Sequence, residues 1–114
     1  MIVVSDTSPL SSLYLIDQLP LLPAVFGKII VPEKVWEELL ILEADYLLID
    51  ELEGREAAAQ EGLKTIGILG VFIRAKSVGL IAEVRPLMED LRTKARFHIH
   101  DKLFVAVLKQ AGES

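Results

Sequence analysis

Short apolar runs alternate with amphipathic stretches along most of this chain. The runs are rich in Val, Ile and Leu, which suit a buried pleated strand. They predict strands over 2–5, 28–32, 45–50, 64–70 and 96–99. The stretches between them have helical spacing and end at proline or glycine. They predict helices between Ser8 and Pro20 and over 19–26, 32–44, 51–62, 71–81, 84–95 and 100–112.

This alternation of strand and helix predicts an α/β fold. Strands that are apolar throughout, each followed by a helix, favour a mostly parallel central sheet flanked by helices on both faces. No internal repeat, low-complexity segment or linker interrupts the pattern. We therefore predict that residues 1–114 form one domain.

Composition and charge bear on the oligomeric state, the compartment and the binding partners to be expected. Hydrophobic residues make up 52% of the chain, and mean hydropathy is +0.43, so we expect part of the apolar surface to be buried in a homo-oligomer. The absence of cysteine excludes disulfides and thiolate metal sites and is compatible with a cytoplasmic protein. We expect no signal peptide and no membrane span. The net charge of −5 counts against nucleic-acid binding unless a local basic patch exists.

Three carboxylates are the candidate chemistry. Asp6 and Asp50 each close a predicted strand, and Glu38 borders the apolar side of the helix after the second strand. Parallel sheets bind ligands at the carboxyl ends of their strands. Converging carboxylates repel one another unless a cation compensates them, and oxygen ligands suit Mg²⁺ or Mn²⁺. Such an ion activates water, so the pattern points to phosphodiester hydrolysis.

Each carboxylate also has a simpler interpretation. Asp50 and Glu53 have the spacing of a capping box, so helix capping alone explains Asp50 equally well. Glu38 fits an ordinary solvated helix acid. Asp6 is harder to explain as a cap, because Ser8 can cap the first helix with Pro9 at its first position.

Two further groups have open alternatives. His98 and His100 would face the same way on a strand and could bind a transition metal, but no third ligand is evident, and the start of the last helix with Asp101 as its cap explains them better. Arg55, Arg74 and Lys76 either form a phosphate-binding patch or lie on a solvated helix face.

The chain resembles the PIN-domain nucleases, in particular a PIN-like subfamily of prokaryotic proteins related to VapC-type toxins. The resemblance covers nearly all of the chain and rests on long blocks. They read "VSDTSPL" (4–10), "LPLLPAVFGKIIVPEKVWEEL" (19–39), "ADYLLIDELEGREAA" (44–58), "TIGILGVFIRAKSVGLI" (65–81) and "HDKLFVAVLKQAGE" (100–113).

The resemblance implies an RNase that uses Mg²⁺ or Mn²⁺. The family's acids fall on Asp6, Glu38 and Asp50, with Glu51 beside the last. A few tens of residues that carry another acid in the family are missing after Leu39. We therefore expect a PIN-like fold shortened by an internal deletion, with a second copy of the chain covering the exposed sheet.

Two functions follow from the resemblance. The first is a metal-dependent ribonuclease, with the toxin of a toxin–antitoxin pair as one version of it and with Ser8 and Arg55 as candidate substrate-binding residues. The second is a PIN-fold binding or oligomerisation module that lost activity with the missing segment.

Overall fold

The fold is known from a computed structural model, which describes residues 2–5, 7–30, 45–50, 56, 60, 62 and 64–113. The described residues contain both strands and helices, and the first and last strands are each followed by a helix, as predicted. In chain order they are β1 (Ile2–Ser5), α1 (Thr7–Leu15), α2 (Leu21–Phe26), β2 (Lys28–Ile30), β3 (Tyr46–Leu48), β4 (Thr65–Ile66), α3 (Ile68–Ser77), α4 (Arg85–Thr93) and α5 (Asp101–Gln110). The predicted helices over 32–44 and 51–62 lie wholly or mostly outside the described residues.

The four strands form one parallel sheet in the order β2-β1-β3-β4. β1 pairs with β2 on one side and with β3 on the other, where Val3 lies opposite Tyr46 and Ser5 opposite Leu48. After β1 the chain first adds β2 on one side of β1 and later adds β3 on the other side. This reversal makes the carboxyl ends of β1 and β3 the switch point of the sheet, where open α/β folds bind ligands.

The core explains why most positions of the strands are apolar. Val3 and Val4 point to opposite faces of β1, and both are fully buried, so the sheet is covered on both faces. Helices α3 and α4 supply much of the cover through fully buried side chains. These are Ile68, Val71, Phe72, Ala75, Met88 and Leu91.

Two predicted strands differ from the structure. The strand predicted over 64–70 contains only Thr65–Ile66, because α3 already begins at Ile68. The strand predicted over 96–99 is wrong: residues 96–100 have no regular structure. Arg96 has a φ of 52°, a left-handed conformation that interrupts an extended chain.

Two helix starts also differ by one residue. Helix α1 begins at Thr7, so Ser8 lies in its first turn and does not cap it. Helix α5 begins at Asp101 after His100, so Asp101 is not its cap. One predicted end agrees with the structure: Gly27 follows α2 with a φ of 88°, a conformation that favours glycine. Among the described helices, none is long and apolar enough to cross a membrane.

Candidate active site

Two of the predicted site carboxylates follow, in the sequence, the two strands that meet at the switch point of the sheet. Ser5 ends β1 and lies opposite Leu48, which ends β3. Asp6 follows Ser5 directly, and Asp50 follows Leu48 by two residues. In the sequence, two neighbouring parallel strands are thus each followed by an aspartate. Asp6 itself lies outside the described residues.

Asp50 is held in place by a helix that starts 18 residues later. The backbone amide of Ile68, the first residue of α3, donates a hydrogen bond of 2.9 Å to Asp50 Oδ1. The residue before this helix is Gly67, which has no side chain to accept that hydrogen bond. Asp50 therefore caps α3, and its negative charge lies at the positive end of the helix dipole.

This capping role is compatible with metal binding. A carboxylate has two oxygens and about four lone-pair positions, and the bond from Ile68 uses one of them. Asp50 is half-buried, and its Oδ2 atom is buried. A hard oxygen ligand oriented by an outer hydrogen bond is the type of ligand that Mg²⁺ or Mn²⁺ prefers. The cap and the ligand interpretations of Asp50 are therefore not exclusive.

A cleft of about 520 Å³ opens beside Asp50. Its floor includes Thr65, Ile66 and Gly67 from β4 and the residue after it. Its other walls come from α3, from the segment before α5 and from α5. The remaining lining residues are Leu69, Gly70, Ile73, Phe97, His98, Leu103, Val107 and Gln110. The cleft is mostly apolar, with a few polar groups, which is typical of a ligand site.

Of the other predicted site residues, the structure describes only Ser8. Ser8 is exposed in the first turn of α1, while Glu38 and Arg55 lie outside the described residues, as does Asp6. Within the described ranges, no three His, Asp or Glu side chains lie close enough together to hold a metal ion. The three-carboxylate metal site thus stays a prediction.

Two of the predicted phosphate-binding cations have internal partners. The Arg74 guanidinium lies 5.5 Å from the ring centroid of Phe26 and 5.1 Å from that of Tyr46. Tyr46 begins β3, so Arg74 lies toward the opposite end of that strand from Asp50. The Lys76 ammonium donates to the Ala111 carbonyl and pairs with Glu113 at 3.0 Å. These contacts favour a structural role for both residues.

The two histidines do not form a paired metal site on a strand. Their ring centroids lie 6.2 Å apart with the rings nearly perpendicular, and both side chains are exposed. His98 lines the cleft beside Asp50, whereas His100 immediately precedes α5. The cleft itself was missed by reasoning from sequence. The sequence feature nearest to its lining residues Phe97 and His98 is the run "RTKARFHIH" (92–100), in which every second residue is Arg, Lys or His.

The fold and the position of Asp50 together define a class of protein: a parallel α/β fold with a carboxylate near the switch point of its sheet, where such folds bind substrates. Comparison with known proteins makes this class specific. A family model described as a PIN domain matches residues 2–43 and 40–113, so the chain belongs to the PIN-domain family. No curated protein and no solved structure matches the chain significantly. Family membership confirms the resemblance to PIN domains and indicates a nuclease-type function. PIN domains generally use divalent metals.

Proposed function

We propose that this protein is a metal-dependent ribonuclease of PIN type that hydrolyses RNA phosphodiester bonds. The observation that carries the proposal is the position of Asp50, fixed by α3 at the switch point beside the end of β1. Asp6 follows β1 in the sequence, and Glu38 is the third proposed ligand. Arg55 and Ser8 are the proposed substrate-binding residues.

Mg²⁺ or Mn²⁺, when bound, supplies a Lewis acid that lowers the pKa of a water ligand and polarises the phosphate. The residues of the chain hold the metal ion and orient the RNA phosphate beside it. The hydrogen bond from Ile68 fixes the rotation of the Asp50 carboxylate, as an outer hydrogen bond orients a metal ligand. The apolar wall of the cleft reduces the water around the site, which strengthens electrostatic contacts there.

The decisive experiment compares RNA cleavage by the wild type with cleavage by Asp6→Asn and Asp50→Asn. We expect Mg²⁺-dependent cleavage of a mixed RNA pool by the wild type and its loss in both variants. The matched control is Asp17→Asn, since Asp17 is exposed after α1 and asparagine tolerates its φ of 58°. Equal cleavage by wild type and Asp50→Asn would show that the site is wrong.

A second candidate function is a PIN-fold binding or oligomerisation module without turnover. Two facts favour it: the net charge of −5 and the family match in two pieces that meet at residues 40–43. We propose that an internal deletion after Leu39 causes this division. Titration of Mn²⁺ against thermal stability separates the two functions. Metal at 1,000 times its Kd stabilises a folded site by about 4 kcal/mol, whereas no shift supports the binding module.

The partners proposed for the chain are RNA, a second copy of the chain and, if it acts as a toxin, an antitoxin protein, all in the cytoplasm. An apolar surface on α1 supports the second copy: Tyr14 is 69% exposed and Leu15 54%. Sedimentation at micromolar concentration tests this, with Tyr14→Ser and Leu15→Ser expected to shift a dimer toward monomer. A wild type that sediments as a monomer contradicts it. Growth arrest on expression that Asp50→Asn abolishes would support the toxin role.

A further inference from the structure

We propose that residues 91–100, here called the basic segment, bind the RNA substrate beside the candidate active site. A nucleobase enters the cleft and stacks on Phe97 and His98, and a neighbouring phosphate is held by Arg96 and Lys94. The proposal rests on the proposed ribonuclease function and adds the residues that recognise the RNA.

The first argument is charge. The basic segment, "LRTKARFHIH", contains three of the twelve Lys and Arg residues of the chain and both of its histidines, and it contains no Asp or Glu. The whole chain carries a net charge of −5. A phosphate backbone needs a local positive surface, and this segment supplies one on an otherwise acidic protein.

The second argument is position. Phe97 and His98 line the cleft of about 520 Å³ that also contains Asp50. The same two residues line a second recess of about 440 Å³ together with Arg92, Arg96, Ile99 and Asp101. The two hollows therefore adjoin at Phe97 and His98, and they connect the carboxylate of the candidate site to the basic segment.

The third argument separates the residues that hold the segment from those available to a ligand. The Arg92 guanidinium donates 2.6 Å to the Ile99 carbonyl and 3.3 Å to Asp101, the acidic residue of the recess. It also lies 4.1 Å from the ring centroid of Phe104. Arg92 is thus a positioning residue.

Arg96 and Lys94 are the cations open to a phosphate. The Arg96 side chain is exposed. It forms no hydrogen bond and no ion pair with any other residue that the structure describes. Lys94 is 59% exposed and lies 3.7 Å from Asp90 one helical turn earlier, a surface pair that costs little to exchange for a phosphate.

The backbone of the segment explains how these groups are displayed. Arg96 has a φ of 52°, and the amide of Phe97 donates 2.9 Å to the carbonyl of Leu91 at the end of α4. This turn packs Phe97 partly against the core while Arg96 and His98 remain exposed. An anchored aromatic ring beside an imidazole and a guanidinium is the usual platform for unstacked bases of single-stranded RNA.

The test measures binding of a fluorescent single-stranded RNA by the full chain carrying Asp50→Asn, which prevents turnover. In this background Arg96→Gly and His98→Ala should each weaken binding by about five-fold or more, and Arg96→Gly should lower the salt slope by about 1. Lys102→Ala is the matched control, because Lys102 lies outside the basic segment, is exposed and lines neither hollow. This variant should change affinity by less than about two-fold.

Thermal stability excludes a trivial loss of fold. Glycine adopts a positive φ without strain, so Arg96→Gly should melt at or above the temperature of its parent even though its RNA affinity falls. In the catalytically competent chain His98→Ala should raise KM for RNA with little change in kcat. A change in kcat alone would contradict a role in substrate binding.

The outcomes distinguish this inference from the proposed function. Normal binding by Arg96→Gly and His98→Ala, or no RNA binding by the parent, overturns the inference even if metal-dependent cleavage is present. Binding that depends on both residues but is never followed by cleavage in the wild type overturns the nuclease and leaves the RNA surface standing. If polyglutamate displaces the RNA at an equal concentration of negative charges, the proposed stacking of bases on Phe97 and His98 is wrong. The basic segment then binds acidic chains in general.

Discussion

The Ile68 amide donates a hydrogen bond of 2.9 Å to Asp50 Oδ1, so the carboxylate of the candidate site also caps the helix that borders the cleft. The two residues are 18 positions apart in the sequence. The position of the acid and the start of α3 therefore depend on each other, and a change at Asp50 should affect both activity and stability.

Asp50→Ala and Asp50→Asn should separate these two effects. Alanine removes the acceptor for the Ile68 amide and should lower the free energy of unfolding by about 1 kcal/mol. Asparagine keeps an oxygen acceptor and should retain most of this stability while losing the charge needed for metal. Urea denaturation of both variants measures the difference. Equal stability of the two would mean that capping by Asp50 contributes little.

Glu113 makes a second long-range cap, and it predicts a pH dependence. Its carboxylate accepts hydrogen bonds from the amides of Val84 at 2.7 Å and Arg85 at 3.1 Å and from Lys76 at 3.0 Å. Burial acts to raise the pKa of Glu113, but these hydrogen bonds and the charge of Lys76 outweigh it, so the pKa lies below its ordinary value of 4.5. Glu113→Gln should cost about 1 kcal/mol at pH 7.

The sign of the pH effect follows from that lowered pKa. The stabilisation by Glu113 is fully present above pH 4.5, the ordinary value, and disappears as the pH falls through the lower pKa of the folded state. The difference in unfolding free energy between wild type and Glu113→Gln should therefore be largest at pH 7 and should shrink as the pH falls below 4.5. A difference that grows toward acid pH would contradict this assignment.

Arg74 should contribute to stability and not to RNA cleavage. Its guanidinium lies over the rings of Phe26 and Tyr46 and links α3 to α2 and β3. Arg74→Ala should lower the free energy of unfolding by about 1 kcal/mol, and Arg74→Lys should lose less. In a Tyr46→Leu background the cost of Arg74→Ala should shrink. A strong loss of RNA affinity in Arg74→Lys would return this residue to the phosphate-binding patch.

Gly70 should resist replacement because α3 lies close to β4. A Cβ atom at Gly70 would lie 2.9 Å from Cγ1 of Ile66 and 3.4 Å from its Cδ1. Alanine gains about 1 kcal/mol of helix propensity, but the forced contact costs about 1–3 kcal/mol, so we expect net destabilisation by about 1 kcal/mol. Ile66→Ala should reverse the sign of the Gly70→Ala effect. If Gly70→Ala stabilises the otherwise unchanged protein, Ile66 moves aside freely.

Much of the architecture was readable from local pattern. Continuous apolar runs such as "IVVS" predicted buried parallel strands, and both valines of β1 are indeed fully buried. Gly27 and the first-turn Pro86 marked the end of α2 and the start of α4. These signals succeed because strand burial, proline and glycine act within a few residues. That the whole chain forms a single domain stays a prediction.

Local pattern failed where a distant group decided the outcome. Residues 67–70 have the composition of a strand, yet they begin a helix because Asp50 supplies the cap that Gly67 lacks. Asp50 with Glu53 suggested a local capping box, of which Glu53 lies outside the described residues, and the distant cap on α3 was not foreseen from the sequence. The pattern also placed a strand at 96–99, where the turn at Arg96 joins α4 to α5 instead.

Residue type and spacing were enough to predict a parallel α/β fold of the PIN family with aspartates after two of its strands, because these features are local. The shared cleft of Asp50, Phe97 and His98 and the internal partners of Arg74 and Lys76 became apparent only from the folded chain. These contacts join residues far apart in the sequence, so they depend on sheet order and helix packing.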